Sequence, residues 1–184
     1  MNPVRLSRLL SLMLRHRPEE FGLELDPEGF APIDDVLRAL KKQFPEVSEA
    51  DLRRVVESVD PGKGRFSILD GDIRANYGHS IGERISHPRA EPPEALFHGT
   101  AESAVASILA QGLRPMRRQY VHLTSDESLS RRVGARHGRP VVLRVEALRA
   151  HRAGVAFYRA NPAFWLADSI PPEFFAVVGQ TTRL

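Results

Sequence analysis

The sequence predicts an α+β protein in two parts, and three observations predict it. Apolar residues recur with a helical period through the first third of the chain, and an Asp-Gly dipeptide then separates two alternating segments. The second half is a series of short β-branched or aromatic runs with brief helical stretches between them. Between the halves, His87-Pro88-Arg89-Ala90-Glu91-Pro92-Pro93 is rich in proline and has no apolar period. The expected organisation is therefore a first lobe over 1–86, a linker over 87–93 and a second lobe over 94–184.

In the first lobe, Leu6, Leu9, Leu10, Met13 and Leu14 follow the spacing of an amphipathic helix, which Pro18 stops. At 100° per residue Arg8 and Arg15 project from the side opposite the apolar centre, with His16 at the edge near the helix end. A second helix is expected over Ile33 to Lys42, with Val36, Leu37 and Leu40 inward. Ser48-Glu49-Ala50-Asp51 reads as a capping box opening a third helix that uses Leu52, Val55 and Val56. Asp70-Gly71 then predicts a two-residue hairpin loop in which Ile68 faces Ile73, Ser67 faces Arg74 and Arg65 faces Asn76. Phe66, Ile68, Ile73 and Ala75 share one face, and Arg65, Ser67, Arg74 and Asn76 the other. Three helices and a hairpin suggest a winged-helix-like module.

In the second lobe, Leu96-Phe97-His98 is a short strand. The helix from Glu102 ends at Gly112, with Val105, Ile108 and Leu109 inward. Tyr120 to Leu123 is a strand and Ser128 to Arg136 a short helix. Val141 to Val145 and Phe174 to Val178 are further strands. Strands outnumber helices, so a small sandwich with peripheral helices is expected.

Composition narrows the chemistry. The 184 residues are 42% apolar and 27% charged, which excludes disorder and low complexity. With no cysteine, disulfides, zinc ribbons, iron–sulfur clusters and thiol catalysis are excluded together. No apolar run approaches a membrane span and the start does not resemble a signal peptide, so a cytoplasmic protein is expected. Residues 1–92 carry a net charge of −2 and residues 93–184 a net of +5. The bases are 23 Arg and 3 Lys, a bias that suits bidentate phosphate recognition but that GC-rich codons also produce. Individual positions must make the case.

The segment Arg15-His16-Arg17-Pro18 reads either as a solvated helix end or as a phosphate grip, and Arg65 and Arg74 on the polar hairpin face sharpen the second reading. The seven histidines form no H-x-x-x-H or H-E-x-x-H pair, so no metal site is expected. His98, leading into Gly99-Thr100, and His122, leading into Leu123-Thr124, both fall in predicted strands. There is no P-loop, no dinucleotide fingerprint and no G-x-S-x-G elbow.

Taken in order, these segments resemble the NAD-dependent RNA 2′-phosphotransferase family, which removes a splice-junction 2′-phosphate from tRNA. The resemblance rests on Leu6 to Ser11, Leu14 to Pro18, Gly64-Arg65-Phe66, Ile73 to Ser80, Leu96 to Thr100, Gly112 to Leu123 and Phe164-Trp165-Leu166. It covers nearly the whole chain. It implies an RNA-binding winged-helix lobe joined to a mixed β lobe with the ADP-ribosyltransferase fold.

Carried over by position, the family's essential Arg-His-Arg-Arg tetrad falls on Arg15, His16, Arg65 and Arg118, with Arg117 the alternative for the last. His98, Gly99 and Thr100 match the strand that holds nicotinamide and its ribose. His122 matches the second signature position, with Thr124 beside it. Arg8, Arg74 and Asn76 are expected to contact RNA. Tyr77 departs from the family's usual glutamine and Phe97 from its common tyrosine.

The implied reaction has two steps. The RNA 2′-phosphate attacks the anomeric carbon of the nicotinamide riboside of NAD⁺, expelling nicotinamide and giving ADP-ribosylated RNA. The ribose 2″-hydroxyl then attacks phosphorus, freeing RNA with a 2′-hydroxyl and ADP-ribose 1″,2″-cyclic phosphate. NAD is consumed, no metal is required, and the arginines are expected to clasp the phosphoryl group. The late strand Phe174 to Val178 carries no carboxylate, which fits an acceptor that is already anionic near neutral pH. Two rivals remain: a transferase that caps terminal nucleic-acid phosphates with ADP-ribose, and a non-catalytic winged-helix regulator. With no heptad seam, a monomer is expected.

Overall fold

Helix α1 (Pro3–Arg15) begins on Asn2, whose side chain accepts from the Val4 and Arg5 amides at 2.9 and 3.3 Å, with Pro3 at the first helical position. It buries Leu6, Leu10, Met13 and Leu14. Pro18 opens a single 3₁₀ turn, closed by Gly22 at φ +68°. The computed structural model describes residues 2–57 and 64–179. These fall into two compact units that divide between Ser86 and His87.

Helix α2 (Ile33–Lys41) buries Ile33, Val36, Ala39 and Leu40, and α3 (Glu49–Glu57) buries Leu52 and Val55. The box before α3 forms with Asp51 in the third position: the Ser48 amide donates to Asp51 Oδ2 at 3.1 Å and the Asp51 amide to Ser48 Oγ at 3.4 Å. The Ser48 hydroxyl also donates to the carboxylate and holds its pKa below the ordinary value.

The hairpin has the expected register. Strands β2 (Phe66–Leu69) and β3 (Asp72–Ala75) pair Phe66 with Ala75, Ser67 with Arg74, Ile68 with Ile73 and Leu69 with Asp72. Asp70 at φ +49° and Gly71 at φ +92° make the left-handed loop that a twisted two-residue hairpin requires. A third strand, β1 (Phe30–Pro32), pairs with β3 and gives the sheet order β1-β3-β2. At three residues ending in proline, it left no alternating signature to read. One core joins the three helices to the inward faces of Phe66, Ile73 and Ala75.

The second unit departs from expectation in two ways. Its strands form one six-stranded sheet, not a sandwich, in the order β7-β8-β5-β4-β6-β9. These are β4 (Leu96–Ala101), β5 (Val121–Thr124), β6 (Pro140–Val145), β7 (Phe157–Arg159), β8 (Phe164–Ala167) and β9 (Phe175–Val177). Every pairing among them is antiparallel.

A helix takes the place of the second sheet layer. Helix α5 (Glu127–Gly134) lies on β4, β5 and β6. It approaches at backbone distance: a Cβ at Gly99 would stand 1.7 Å from the Ser130 carbonyl oxygen, and one at Gly134 would stand 2.7 Å from that of Thr100. Only glycine permits that crossing.

The second departure is α4 (Glu102–Gln111), which buries no residue fully. Ile108 packs on the core, but Leu109 is exposed where it was expected inside. Helix α6 (Ala147–Arg152), β7 and β8 had not been resolved from the sequence as separate elements. Segment 87–93 packs on the second unit: His87 is buried against Tyr120 and the Ala90 amide donates to Phe157 O at 3.0 Å. No helix among the described residues is long and apolar enough to cross a membrane.

Candidate active site

In the first unit three predicted residues converge where α1 meets the base of the hairpin. Arg15 was expected on the polar side of α1, yet it is buried at 9% exposure. The hairpin and the segment after it cover that side. Its guanidinium carbon stands 5.5 Å from the Phe66 ring and 5.0 Å from the Tyr77 ring, and its Nη2 donates to the Arg65 carbonyl at 3.3 Å. Two aromatic faces and a carbonyl compensate part of the lost hydration. Arg65, half-buried, reaches back to α1 and donates from Nη1 to Ser7 Oγ at 3.3 Å. It has no carboxylate partner among the described residues. His16 Nδ1 pairs with Ser80 Oγ at 2.8 Å, and the Ser80 amide donates to the Arg15 carbonyl at 2.9 Å.

The residues expected beside this cluster divide into different roles. Asn76 is buried, with Nδ2 donating to Gly64 O at 2.9 Å and Oδ1 accepting from Ser67 Oγ at 2.6 Å. Its amide N–H donates to Arg65 O at 2.8 Å. Asn76 thus fixes the backbone on either side of Arg65. Arg74 packs over the Phe30 ring at 4.6 Å and donates to the Glu28 carbonyl at 3.4 Å, so its side chain is engaged with the strand beside it. Arg8 stands exposed on α1. Sequence reasoning gave no site role to Ser7, Phe66 or Ser80, although each lies in a matched segment, and it noted Tyr77 only as a departure from the family's glutamine.

In the second unit His98 lies on β4, half-buried by surface, with Nδ1 at 2.9 Å from the His122 carbonyl. A carbonyl can only accept, so Nδ1 carries the hydrogen. Desolvation lowers the His98 pKa below the ordinary value, so the ring is neutral at pH 7 and presents Nε2 as an acceptor. β4 and β5 share only the pair Phe97 with Thr124, whereas β4 pairs along its whole length with β6.

Thr100 and Thr124 are buried, and Thr124 Oγ1 accepts from the Asp126 amide at 3.1 Å, at the N-cap of α5. The Gly99 backbone is packed against α5, as described above. Arg118 is exposed and ends the turn Pro115–Arg118, whose amide donates to Pro115 O at 2.7 Å. Partial desolvation lowers its pKa from the usual arginine value without removing its charge. Arg117, exposed, precedes it.

Two other features contribute no site. A surface hollow of about 550 Å³ is lined by Arg89, Gly154, Asp168 and Glu173 among others, and contains none of the predicted site residues. Among the described residues no group of three His, Asp or Glu side chains could hold a metal.

Residues 1–169 match the family model described as "RNA 2'-phosphotransferase, Tpt1 / KptA family". Relatives from three bacteria each carry the name "Probable RNA 2'-phosphotransferase". The Streptomyces griseus protein is 42% identical over 96% of this chain and 97% of its own length. The Burkholderia lata protein is 44% identical over 97% and 93%. The Acetivibrio thermocellus protein is 46% identical over 92% and 94%. The family model alone spans all of the first unit and most of the second, and the chain belongs to the RNA 2′-phosphotransferase family.

Proposed function

We propose that this chain is an NAD-dependent RNA 2′-phosphotransferase that removes an internal 2′-phosphate, of the kind left at a tRNA splice junction, in the cytoplasm and as a monomer. In this reading the first unit is a winged-helix-like RNA-binding lobe and the second an ADP-ribosyltransferase-type lobe that takes NAD⁺. The observation that carries it is the meeting of Arg15 and Arg65. The Arg15 guanidinium bonds the Arg65 carbonyl, and Arg65 ends on a serine hydroxyl, with no carboxylate partner among the described residues. A guanidinium binds a phosphate through parallel N–H···O bonds, and Arg65 offers the donor set that such an anion needs.

The donor set of the second unit fits a nicotinamide ribose. A neutral His98 presenting Nε2 accepts from a ribose hydroxyl, which a charged ring would not do. Bound NAD⁺ supplies an electrophilic anomeric carbon and a nicotinamide leaving group. The protein's work is then to hold and aim. Arg15 and Arg65 bind the 2′-phosphate and stabilise charge developing on its oxygens, each contributing on the order of 3 kcal/mol, and Arg118 is the residue that the family resemblance assigns to the same tetrad. His16, its ring fixed by Ser80, donates to a phosphate oxygen. No carboxylate base is needed, because the phosphate is already ionised near neutral pH. Strand β9 carries none.

The test is incubation of the protein with a 2′-phosphorylated oligoribonucleotide and NAD⁺, with mass analysis of all products. Expected are nicotinamide, ADP-ribose 1″,2″-cyclic phosphate and RNA carrying a 2′-hydroxyl. RNA that keeps the mass of an ADP-ribosyl group on a terminal phosphate would replace the reading with capping, and no nicotinamide release would replace it with simple RNA binding. Arg118→Ala is expected to stall turnover with NAD⁺ binding intact, and His98→Ala to weaken saturation by NAD⁺.

A further inference from the structure

The turn Pro115–Arg118 carries a methionine where its backbone favours glycine. Met116 has φ +46°, and only Asp70 shares a positive φ among the described non-glycine residues. Asp70 occupies a hairpin loop, and aspartate tolerates that conformation through its short polar side chain. Methionine has no such compensation. Its side chain is also 89% exposed, far more than the other exposed large apolar residues Val4, Leu69 and Leu109. The chain therefore accepts backbone strain and a wet thioether at one position, and neither is explained by packing.

The surroundings say what would cover it. Arg114, Arg117 and Arg118 stand exposed within two residues on either side, and no acidic residue occurs between Gly112 and Ser125. An apolar tip ringed by cations suits a polymer that is anionic along its backbone and apolar on the faces of its bases. A single methionine is too small an apolar surface to anchor a protein on lipid.

We propose that Met116 is an RNA-binding residue that packs on the face of an unstacked nucleobase flanking the 2′-phosphorylated nucleotide, while Arg114 pairs with the adjoining phosphodiester. The inference rests on the RNA 2′-phosphotransferase reading and adds to it a contact outside the phosphate grip. It also explains the strain: the left-handed conformation lifts the side chain clear of the turn, towards the ligand.

Met116→Gly separates structure from recognition, because glycine adopts φ +46° without penalty. The thermal midpoint should hold or rise. The KM for a single-stranded 2′-phosphorylated RNA should increase about tenfold, with kcat and the KM for NAD⁺ unchanged, and Met116→Leu should restore most of the loss. In direct binding, Met116→Gly should weaken RNA without altering the slope of log Kd against log salt. Arg114→Ala should instead reduce that slope by about 0.7.

An active parent whose RNA KM and Kd are unmoved by Met116→Gly overturns the inference and leaves the reading standing. A parent that binds RNA through Met116 but releases no nicotinamide keeps the inference and removes the reading. Binding to anionic phospholipid vesicles that is lost in Met116→Gly, with RNA affinity unchanged, would assign the tip to a membrane surface and overturn the proposal.

Discussion

The Arg15 guanidinium carbon stands 5.0 Å from the centre of the Tyr77 ring, and Phe66 faces it from 5.5 Å. Tyr77 therefore orients the arginine that the proposed reaction needs. Its hydroxyl is not required for that, because the attraction comes from the ring. Tyr77→Phe should keep kcat within about twofold, whereas Tyr77→Ala should lower it about tenfold, in line with a partly desolvated contact of order 1–2 kcal/mol. Equal losses in the two variants would assign Tyr77 some role other than its ring.

Gly99 was expected at the cofactor, and the structure gives it a demanding packing role. Its missing Cβ makes room for the Ser130 carbonyl of α5, and Gly134 does the same for Thr100. Both neighbours are backbone, so neither can rotate aside. Gly99→Ala should destabilise the fold by about 3 kcal/mol or more and reduce soluble yield. Thermal unfolding without ligand reads this directly. A normal midpoint with weakened NAD⁺ binding would return Gly99 to a purely ligand-facing role.

The contrast between Gly71 and Gly99 marks what the sequence could disclose. Asp70-Gly71 announced a hairpin because the signal is local: two residues set the loop, and alternation then sets every cross-strand pair down to Ser67 with Arg74. The same holds for α1, whose period, proline stop and buried face were all legible. Gly99 needs glycine because a helix nearly thirty residues later crosses it, and no local pattern records that.

Arg15 is a subtler case. The helical wheel sets it opposite the apolar centre between Leu6 and Leu10, but burial on that side depends on Phe66 and Tyr77, more than fifty residues away. Short elements were lost for a third reason. β1 and β7, at three residues each, span less than two full alternations.

His98 makes stability depend on pH in a defined direction. Burial lowers its folded pKa, so the unfolded chain binds a proton more readily in the window just below the ordinary histidine value of 6.5. Stability should be full above that value, fall as pH drops through it, and level off below the folded pKa. His98→Asn should flatten this part of the curve, even if the variant is less stable throughout. Thermal midpoints from pH 7.5 to 5 for parent and variant provide the comparison. Parallel curves would mean that His98 does not contribute the pH dependence.

Arg65 and Asn76 allow grip and scaffold to be separated. Arg15 bonds the Arg65 carbonyl, which is backbone, so Arg65→Ala removes one guanidinium and leaves the acceptor for the other in place. Among the described residues, the side-chain bond lost is the one to Ser7 Oγ. Arg65→Ala should therefore cut kcat by 10²–10³, the loss typical of an anion-stabilising donor, and move stability by less than about 1 kcal/mol. Asn76, expected to contact RNA, ties Gly64 and Ser67 together around Arg65 from a buried position. Asn76→Ala leaves those groups without their partner, so it should cost about 2 kcal/mol of stability along with activity. Thermal midpoints and kcat measured on both variants distinguish the two roles. If Arg65→Ala unfolds as readily as Asn76→Ala, Arg65 belongs to the scaffold and the phosphate grip must lie elsewhere.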